Sequence, residues 1–593
     1  MPASADSLTA RLRERARSEP AAPAYLSLAG SDDTWRALTW RQVLDNVERL
    51  ATALVRCGLQ TGDRVALMLP TCPDWEICHH AALAAGGVVV GLDRHDADQN
   101  LAHILGLAEP RTIIAQNSAD IARLGALWPG AEIFVVAERT DPDPGLFALA
   151  DLIAAPGSPL LQPDRAPRPH DTATIVFTSG STGKPKGIAY SHHQIILAID
   201  ALLERFPTVR CDARMVCWLP LANLFQRILN LFALSCGARS YFVDRPEDVL
   251  RLAPDIRPTL FVGVPRFFEK LHQGILARVD QQPRALRALV LAGWDIGCRH
   301  AAASRSGARA PLWVRMLFPL SSSLLRRIRL LLGPDLQFMV SGSAALPPWL
   351  LEHFHGLGWL VLEAYGISEN VMPVAINQLE DYRFGSVGRP LPGNELRFAS
   401  DGELLLRGPG VFRGYLRDTT PPDSLDADGF LHTGDFARLD DDGYLWLEGR
   451  KSEIFKTSTG RRIAPVPIET ALKQIDDVDH AVVVGRDRPF PVALLTLDPR
   501  SSRLAALGAP TTRTAIAHDV SAACRAFPEH QRPGAVIVSR TALTVAGGEL
   551  TANLKLRRRQ IEVRFAAEID EAYQKASQQM RRARAAPPII EAP

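Results

Sequence analysis

The sequence predicts an α/β protein of at least two domains, and three observations carry that prediction. At 593 residues the chain is too long for one hydrophobic core. Helical and strand-like periodicities alternate through residues 38–120 and again through 175–264, as expected of parallel sheets covered by helices. Beyond residue 402 the pattern changes to short strands and turns, and the last hundred residues read as a separate small α+β unit.

The elements follow in order. Trp40–Cys57 has the spacing of an amphipathic helix, Arg64–Leu69 that of a strand, Trp75–Gly86 that of a second helix, and Gly87–Leu92 is an apolar strand. In the next stretch Gln194–Phe206 is helical and Thr259–Val264 is a buried strand. Residues 280–332 form a basic helical insertion rich in Arg, Ala and Leu. Its second part, residues 313–332, suits either a helix lying on an anionic membrane surface or one packed on the body with its arginines in solvent. Gly402–Arg407 and Gly443–Glu448 are short strands. Strands at His480–Val484 and Pro491–Leu497 and helices at Thr514–Phe527 and Leu556–Ala576 complete the small unit, and residues 581–593 read as a disordered tail.

Composition excludes several function classes. Apolar residues at 47% and charged residues at 22% are ordinary for a globular enzyme. A net charge of +2 gives no global footprint for nucleic acid. Eight cysteines without a C-x-x-C pair indicate neither a zinc site nor a disulfide framework. Residues 1–20 mix Arg and Glu without an apolar segment of signal-peptide length, and the apolar run Ala81–Leu92 is too short to span a bilayer. The expected location is cytoplasmic, in solution or at the periphery of a membrane.

Function is most legible where Thr178, Ser179, Gly180, Ser181, Thr182, Gly183, Lys184, Pro185, Lys186 and Gly187 follow the apolar run Ala173–Phe177. The glycines let the backbone turn tightly and approach a ligand, and the hydroxyls and N–H groups between them can donate to phosphate oxygens. Lys184 and Lys186 add positive charge at the same place. A P-loop NTPase would need glycine at 178 and a hydroxyl residue at 185, which are threonine and proline here. A Ser/Gly linker would have no need of the strand-like entry or the lysines. Only eight of the 67 Lys and Arg residues are lysine, and five of these fall in motif-like segments: Lys184, Lys186, Lys451, Lys456 and Lys555. An ammonium serves where a planar guanidinium does not fit.

Further segments follow in order. Val361–Glu369 (VLEAYGISE) ends in a carboxylate suited to a hard cation. Met339–Leu346 (MVSGSAAL) is a strand running into small residues against which a flat ring or an acyl chain can lie. His432–Asp435 (HTGD) precedes Gly449-Arg450-Lys451, and a carboxylate can accept from both hydroxyls of a ribose. Residues 449–469 and the stretch Gly548–Arg557 (GELTANLKLR) complete the set.

Over residues 8–577 this series resembles the adenylate-forming, AMP-binding superfamily of acyl-CoA synthetases, peptide-synthetase adenylation domains and beetle luciferases. Leu219–Arg227 (LPLANLFQR) and Val264–Lys270 (VPRFFEK) are similar to its long-chain fatty acyl-CoA synthetase branch. The resemblance implies a large N-terminal domain, residues 1–449, of helix-covered sheets with a distorted barrel, and a small mobile C-terminal lid, residues 450–580. It implies that Thr178 to Lys186 grip ATP, that Gly342, Ser343 and Ala344 wall the adenine and acyl pocket, that Tyr365 stacks on adenine, and that Gly366 belongs to the ATP site. Ser368 would meet phosphate, Glu369 with Thr178 would hold Mg²⁺, and Asp435 would bind ribose beside Arg450. Lys555 would contact the carboxylate and the α-phosphate, so that Lys555, Glu369, Lys184 and Arg450 form the catalytic set. Ser452 would be the lid pivot, where Asp or Lys is usual, and Thr459 and Gly460 would line the coenzyme A channel. Asn223 stands near the acyl site in place of the usual histidine, and residues 91–100 depart from the common Pro-Leu-Tyr-Pro pattern. The implied reaction activates a carboxylic acid, expected to be a medium- to long-chain fatty acid, with ATP and transfers it to coenzyme A. Transfer of the acyl-AMP to an acyl-carrier protein and a nonenzymatic acyl- or nucleotide-binding scaffold are the alternatives.

Overall fold

A computed structural model describes residues 7–28, 34–138, 145–155, 166–179, 184–418, 424–499, 501–544, 547–550, 556–580 and 587–592. Gly180 to Gly183 and Lys555 therefore lie outside the described residues. The chain divides into two units, one of residues 1–397, 405–432 and 439–446, the other of 398–404, 433–438 and 447–593. A four-stranded sheet has the order Glu395–Phe398, Glu403–Arg407, Leu431–Leu439, Leu445–Arg450.

The first unit is built on two large sheets. One has the order Phe147–Ala148, Ile133–Val136, Thr112–Ala115, Arg64–Met68, Val88–Gly91, Thr172–Ser179, Pro185–Ser191, parallel throughout except for its last pair. The other has nine strands, with Arg214–Cys217, Leu260–Gly263, Phe338–Ser341 and Val361–Tyr365 parallel at its centre. Val65 to Met68 and Val88 to Val90 are buried throughout, as befits strands covered on both faces. Trp40–Arg56 is the expected amphipathic helix. Thr39 and Gln42 close a capping box at its start, and Val43, Val47, Leu50 and Leu54 form its fully buried face.

Two local findings explain residues that looked out of pattern. A Cβ at Gly91 would come 2.8 Å from the Cα of Ala222, so the end of strand Val88–Gly91 and the segment before Asn223 pack backbone to backbone. The basic insertion is a hairpin of two helices, Arg284–Arg305 and Leu312–Arg329, closed by a His300–Phe318 stack with centroids 3.7 Å apart. Its first helix seats on helix Pro348–Leu357 through a glycine notch, where a Cβ at Gly297 would meet the carbonyl oxygen of Gly356 at 2.1 Å.

In the second unit the strands Val478–Val484, Val492–Leu497, Ala535–Ser539 and Ile589–Ala592 form one sheet. Ala481, Val483, Ala493 and Leu495 point to one core, with Ile516 and Val520 of helix Pro510–Ala523; Val482, Val484, Val492 and Leu494 point to the other, with Ile561 and Ile569. Period-two alternation therefore buries both faces. Two expectations are corrected here. The tail is not disordered along its length, because Ile589–Ala592 pairs in parallel with Ala535–Ser539 and tucks Ile590 and Ala592 into the second core. The helix expected over 556–576 is two helices, Arg558–Arg564 and Ala566–Met580, broken at Phe565, whose ring enters the same core.

Candidate active site

The motif read as a phosphate grip is entered and left by two antiparallel strands. Strand Thr172–Ser179 pairs with Pro185–Ser191 in the register Thr178↔Lys186 and Ser179↔Pro185. Pro185 thus sits in the return strand, which is why no helix follows Lys184. Residues directly opposite in an antiparallel pair share a face, and alternate residues along a strand do too. Thr178, Lys186 and Tyr190 therefore lie on one side of the hairpin, while Lys184 is exposed at its end.

That side meets the carboxylate segment. Lys186 Nζ stands 4.5 Å over the ring of Tyr415, and Tyr415 Oη donates to Glu369 Oε1 at 3.0 Å. Tyr190 Oη donates to the carbonyl of Ser368. Backbone bonds lock the same junction, from Leu416 N to Gly187 O at 2.7 Å and from Phe412 N to Glu369 O at 2.8 Å. Burial, and after it the charge of Glu369, pushes the Tyr415 hydroxyl well above its ordinary pKa, so it remains a donor. Lys186 is thus joined to Glu369 through Tyr415, Ser368 is held by Tyr190, and Thr178 stands opposite Lys186 in the strand pair. The donor set of a half-buried carboxylate and a hydroxyl is all oxygen, which fits a hard Mg²⁺ ion.

Tyr365 ends strand Val361–Tyr365, buried and tied by Val374 N to its carbonyl at 2.8 Å, and Gly366 is exposed beyond it. The small-residue wall lies one strand over. Gly342 donates to Gly263 O at 3.2 Å, and a Cβ on it would approach Phe225 Cζ to 3.1 Å. Ser343 has φ +77°, a left-handed conformation that a serine adopts at a cost. Ser343 and Ala344 are exposed at this turn. Phe225 is the second residue of helix Leu224–Cys236, and Asn223 is its N-cap residue, half-buried, with no capping bond from its side chain. Phe225, two residues after Asn223, therefore packs against Gly342. Behind the wall, the buried Glu363 carboxylate accepts from Leu346 N and Gly385 N, each at 3.1 Å. Burial, opposed by those two bonds, raises its pKa to about 7.

In the second unit Arg450 Nε donates to the buried Asp435 at 3.0 Å. Lys451 is held internally instead, bridging Asp401 at 2.8 Å and Glu403 at 2.7 Å. Glu403 also accepts from Gly434 N at 3.0 Å, which fixes the turn before Asp435. Ser452 is exposed in a turn closed by Glu453 N and Ile454 N to Arg450 O. Thr459 and Gly460 form the exposed tip of the hairpin Phe455–Lys456/Arg462–Ile463, with Gly460 at φ +77°. Just after Lys555, Arg557 N donates to Glu549 O at 2.8 Å. Arg558 grips Glu469 with two bonds of 2.5 Å.

Tyr415, Tyr190 and Glu363 were not found from the sequence. Glu363 lies inside the segment read for its last residues, and its alternation inward along a strand was the available signal. Tyr415 belongs to the Gly/aromatic run Gly410–Tyr415, whose partner lies over two hundred residues upstream.

A lysine joined to a carboxylate through a tyrosine at the end of a strand pair is a geometry suited to an enzyme that handles a polyphosphate. Residues 12–416 match the family model of the AMP-binding enzymes, and residues 453–577 match that of the AMP-binding enzyme C-terminal domain. The chain belongs to the AMP-binding enzyme family, and within it stands with the fatty acyl-CoA synthetases. It is 30% identical to the long-chain-fatty-acid–CoA ligase FadD15 of Mycobacterium bovis, over 96% of this chain and 97% of that protein. It is 25% identical to human long-chain-fatty-acid–CoA ligase ACSBG2, over 93% and 90%. Among solved structures, the adenylation domain of a Mycobacterium chelonae carboxylate reductase superposes with a TM-score of 0.75 at 21% identity, over 96% of this chain and 91% of that one.

Proposed function

We propose that the chain is an ATP-dependent, AMP-forming ligase that converts a medium- to long-chain fatty acid to acyl-AMP and then to acyl-CoA. The observation that carries this reading is the join of the phosphate hairpin to Glu369 through Lys186 and Tyr415. The named activity of relatives aligned along nearly the whole chain supports the substrate class.

In the first step a carboxylate oxygen of the acid attacks the ATP α-phosphorus and pyrophosphate leaves. Two anions must approach, so the residues supply opposing charge and fixed geometry rather than a nucleophile. Lys184, Lys186 and the hydroxyls of the hairpin hold the phosphates, with Ser368 beside them. Glu369 and Thr178 would hold Mg²⁺, which when bound would neutralise negative charge on the phosphates. Tyr365 stacks on adenine, Gly366 belongs to the ATP site, and Asp435 accepts from the ribose hydroxyls while Arg450 orients it. Lys555 contacts the acid carboxylate and the α-phosphate. In the second step the thiol sulfur of coenzyme A attacks the acyl carbonyl carbon and AMP leaves. The lid, residues 450–580, pivots at Ser452, withdraws Lys555 and brings Thr459 and Gly460 to the pantetheine. Gly342 to Ala344 and Asn223 border the acyl chain. All eight cysteines are free thiols, which suits a cytoplasmic enzyme.

A carrier-protein acceptor is the second reading, prompted by the likeness to an A-PCP didomain of a Segniliparus rugosus carboxylic acid reductase. Incubation with ATP, a panel of fatty acids and either coenzyme A or a phosphopantetheinylated carrier protein separates the two. Long-chain acyl-CoA with no carrier loading is the expected product, and the reverse would overturn the choice of acceptor.

A further inference from the structure

We propose that the N-terminal half of helix Leu312–Arg329 is a docking face for an anionic lipid bilayer. Leu312, Met316 and Leu320 recur every four residues and are 69%, 69% and 71% exposed, with Trp313 and Leu317 along the adjacent row. The opposite side of the helix, through Val314, Ser321 and Leu325, is buried against the body, and Ser321 Oγ donates to Gly293 O. The helix is therefore amphipathic twice over, with one apolar stripe satisfied by the fold and a second facing outward. Scattered exposed leucines are ordinary, but a contiguous stripe at helical spacing marks an interaction surface.

Charge selects the occupant. Residues 281–332 hold nine arginines and a single acidic residue, Asp295. Arg299 is paired with Asp295 and Arg287 with Asp280, whereas Arg309, Arg315, Arg326 and Arg327 are exposed with no acidic partner among the described residues. Arginine stems can lie along an apolar face with the guanidinium groups at phosphate level. A second copy of the chain would bring this cationic surface against itself, while an anionic leaflet attracts it. Among the described residues no helix is long and apolar enough to cross a membrane, so the helix lies on the bilayer.

The full-length chain is tested by co-flotation with vesicles of phosphatidylcholine alone or mixed with phosphatidylglycerol. Retention on the anionic vesicles, weakened by high salt, is expected. Leu312→Ser/Met316→Ser/Leu320→Ser and, separately, Arg315→Glu/Arg326→Glu/Arg327→Glu should each lower partitioning by about tenfold or more. Fatty-acid-dependent pyrophosphate exchange in detergent should stay at the parent level, because these side chains are exposed and outside the site. Absence of retention for the parent chain, or unchanged retention for the serine variant, would overturn the proposal. So would concentration-dependent dimerisation that the serine variant abolishes without any vesicle retention, which would assign the face to a second copy.

Discussion

Replacing Arg558 by methionine removes one half of the best-formed ion pair in the C-terminal unit. The guanidinium makes two bonds of 2.5 Å to Glu469, whose Oε1 also accepts from Val483 N at 2.7 Å. The two side chains are 20% and 8% exposed, so neither charge is well solvated. Burial opposes the charge on Arg558, yet Glu469 more than offsets it and holds the guanidinium pKa above its ordinary value. Loss of one partner leaves Glu469 as an uncompensated buried carboxylate, a loss of about 3–5 kcal/mol. Hydrogen exchange in strands Val478–Val484 and Val492–Leu497 should accelerate roughly a hundred- to a few-thousand-fold. Adding Glu469→Gln, which keeps an acceptor for Val483 N and removes the stranded charge, should restore much of the protection. Exchange in Arg558→Met within about threefold of the parent would show that the pair contributes no more than an exposed one. Arg558 stands three residues after Lys555, so the single variant should also slow adenylation, through the segment it anchors.

Two further substitutions read other parts of the site. The native state keeps the Glu363 proton up to about pH 7, whereas the unfolded chain loses it near 4.5, so stability should fall as pH rises through that window. Glu363→Gln should abolish that slope, worth about 3 kcal/mol at full extent. Urea titrations across the range would show it, and parallel pH profiles for the two proteins would argue against a buried titrating carboxyl. Tyr415→Phe keeps the ring under Lys186 but removes the bond to Glu369. A lost hydrogen bond to a charged group should lower kcat/KM for ATP by roughly tenfold to a hundredfold, and steady-state kinetics at the parent level would exclude Tyr415 from positioning the carboxylate.

Legibility in the sequence followed the range of the interactions involved. Helix Trp40–Arg56 was readable to within a residue because its cap and apolar stripe are local. The phosphate hairpin was readable because glycines, hydroxyls and lysines cluster within ten residues, although the pairing of Thr178 with Lys186 was not stated by any period. Tyr415 was invisible because its role depends on a hairpin and a carboxylate from distant segments. The left-handed Ser343 was hidden too, since a serine carries no mark of positive φ as glycine does. Ile589–Ala592 misled because its flanking Pro and Arg residues read as a tail, whereas a waiting sheet edge at Ala535–Ser539 gives four residues a place.

In the proposed reaction, carboxylate activation occurs where the hairpin meets Glu369. It is tested most directly by fatty-acid-dependent exchange of labelled pyrophosphate into ATP, comparing the parent chain with Glu369→Gln. Exchange with long-chain acids is expected in the parent, with its loss by roughly a hundredfold or more in the variant. Absence of exchange with every acid, or full exchange in Glu369→Gln, would contradict it.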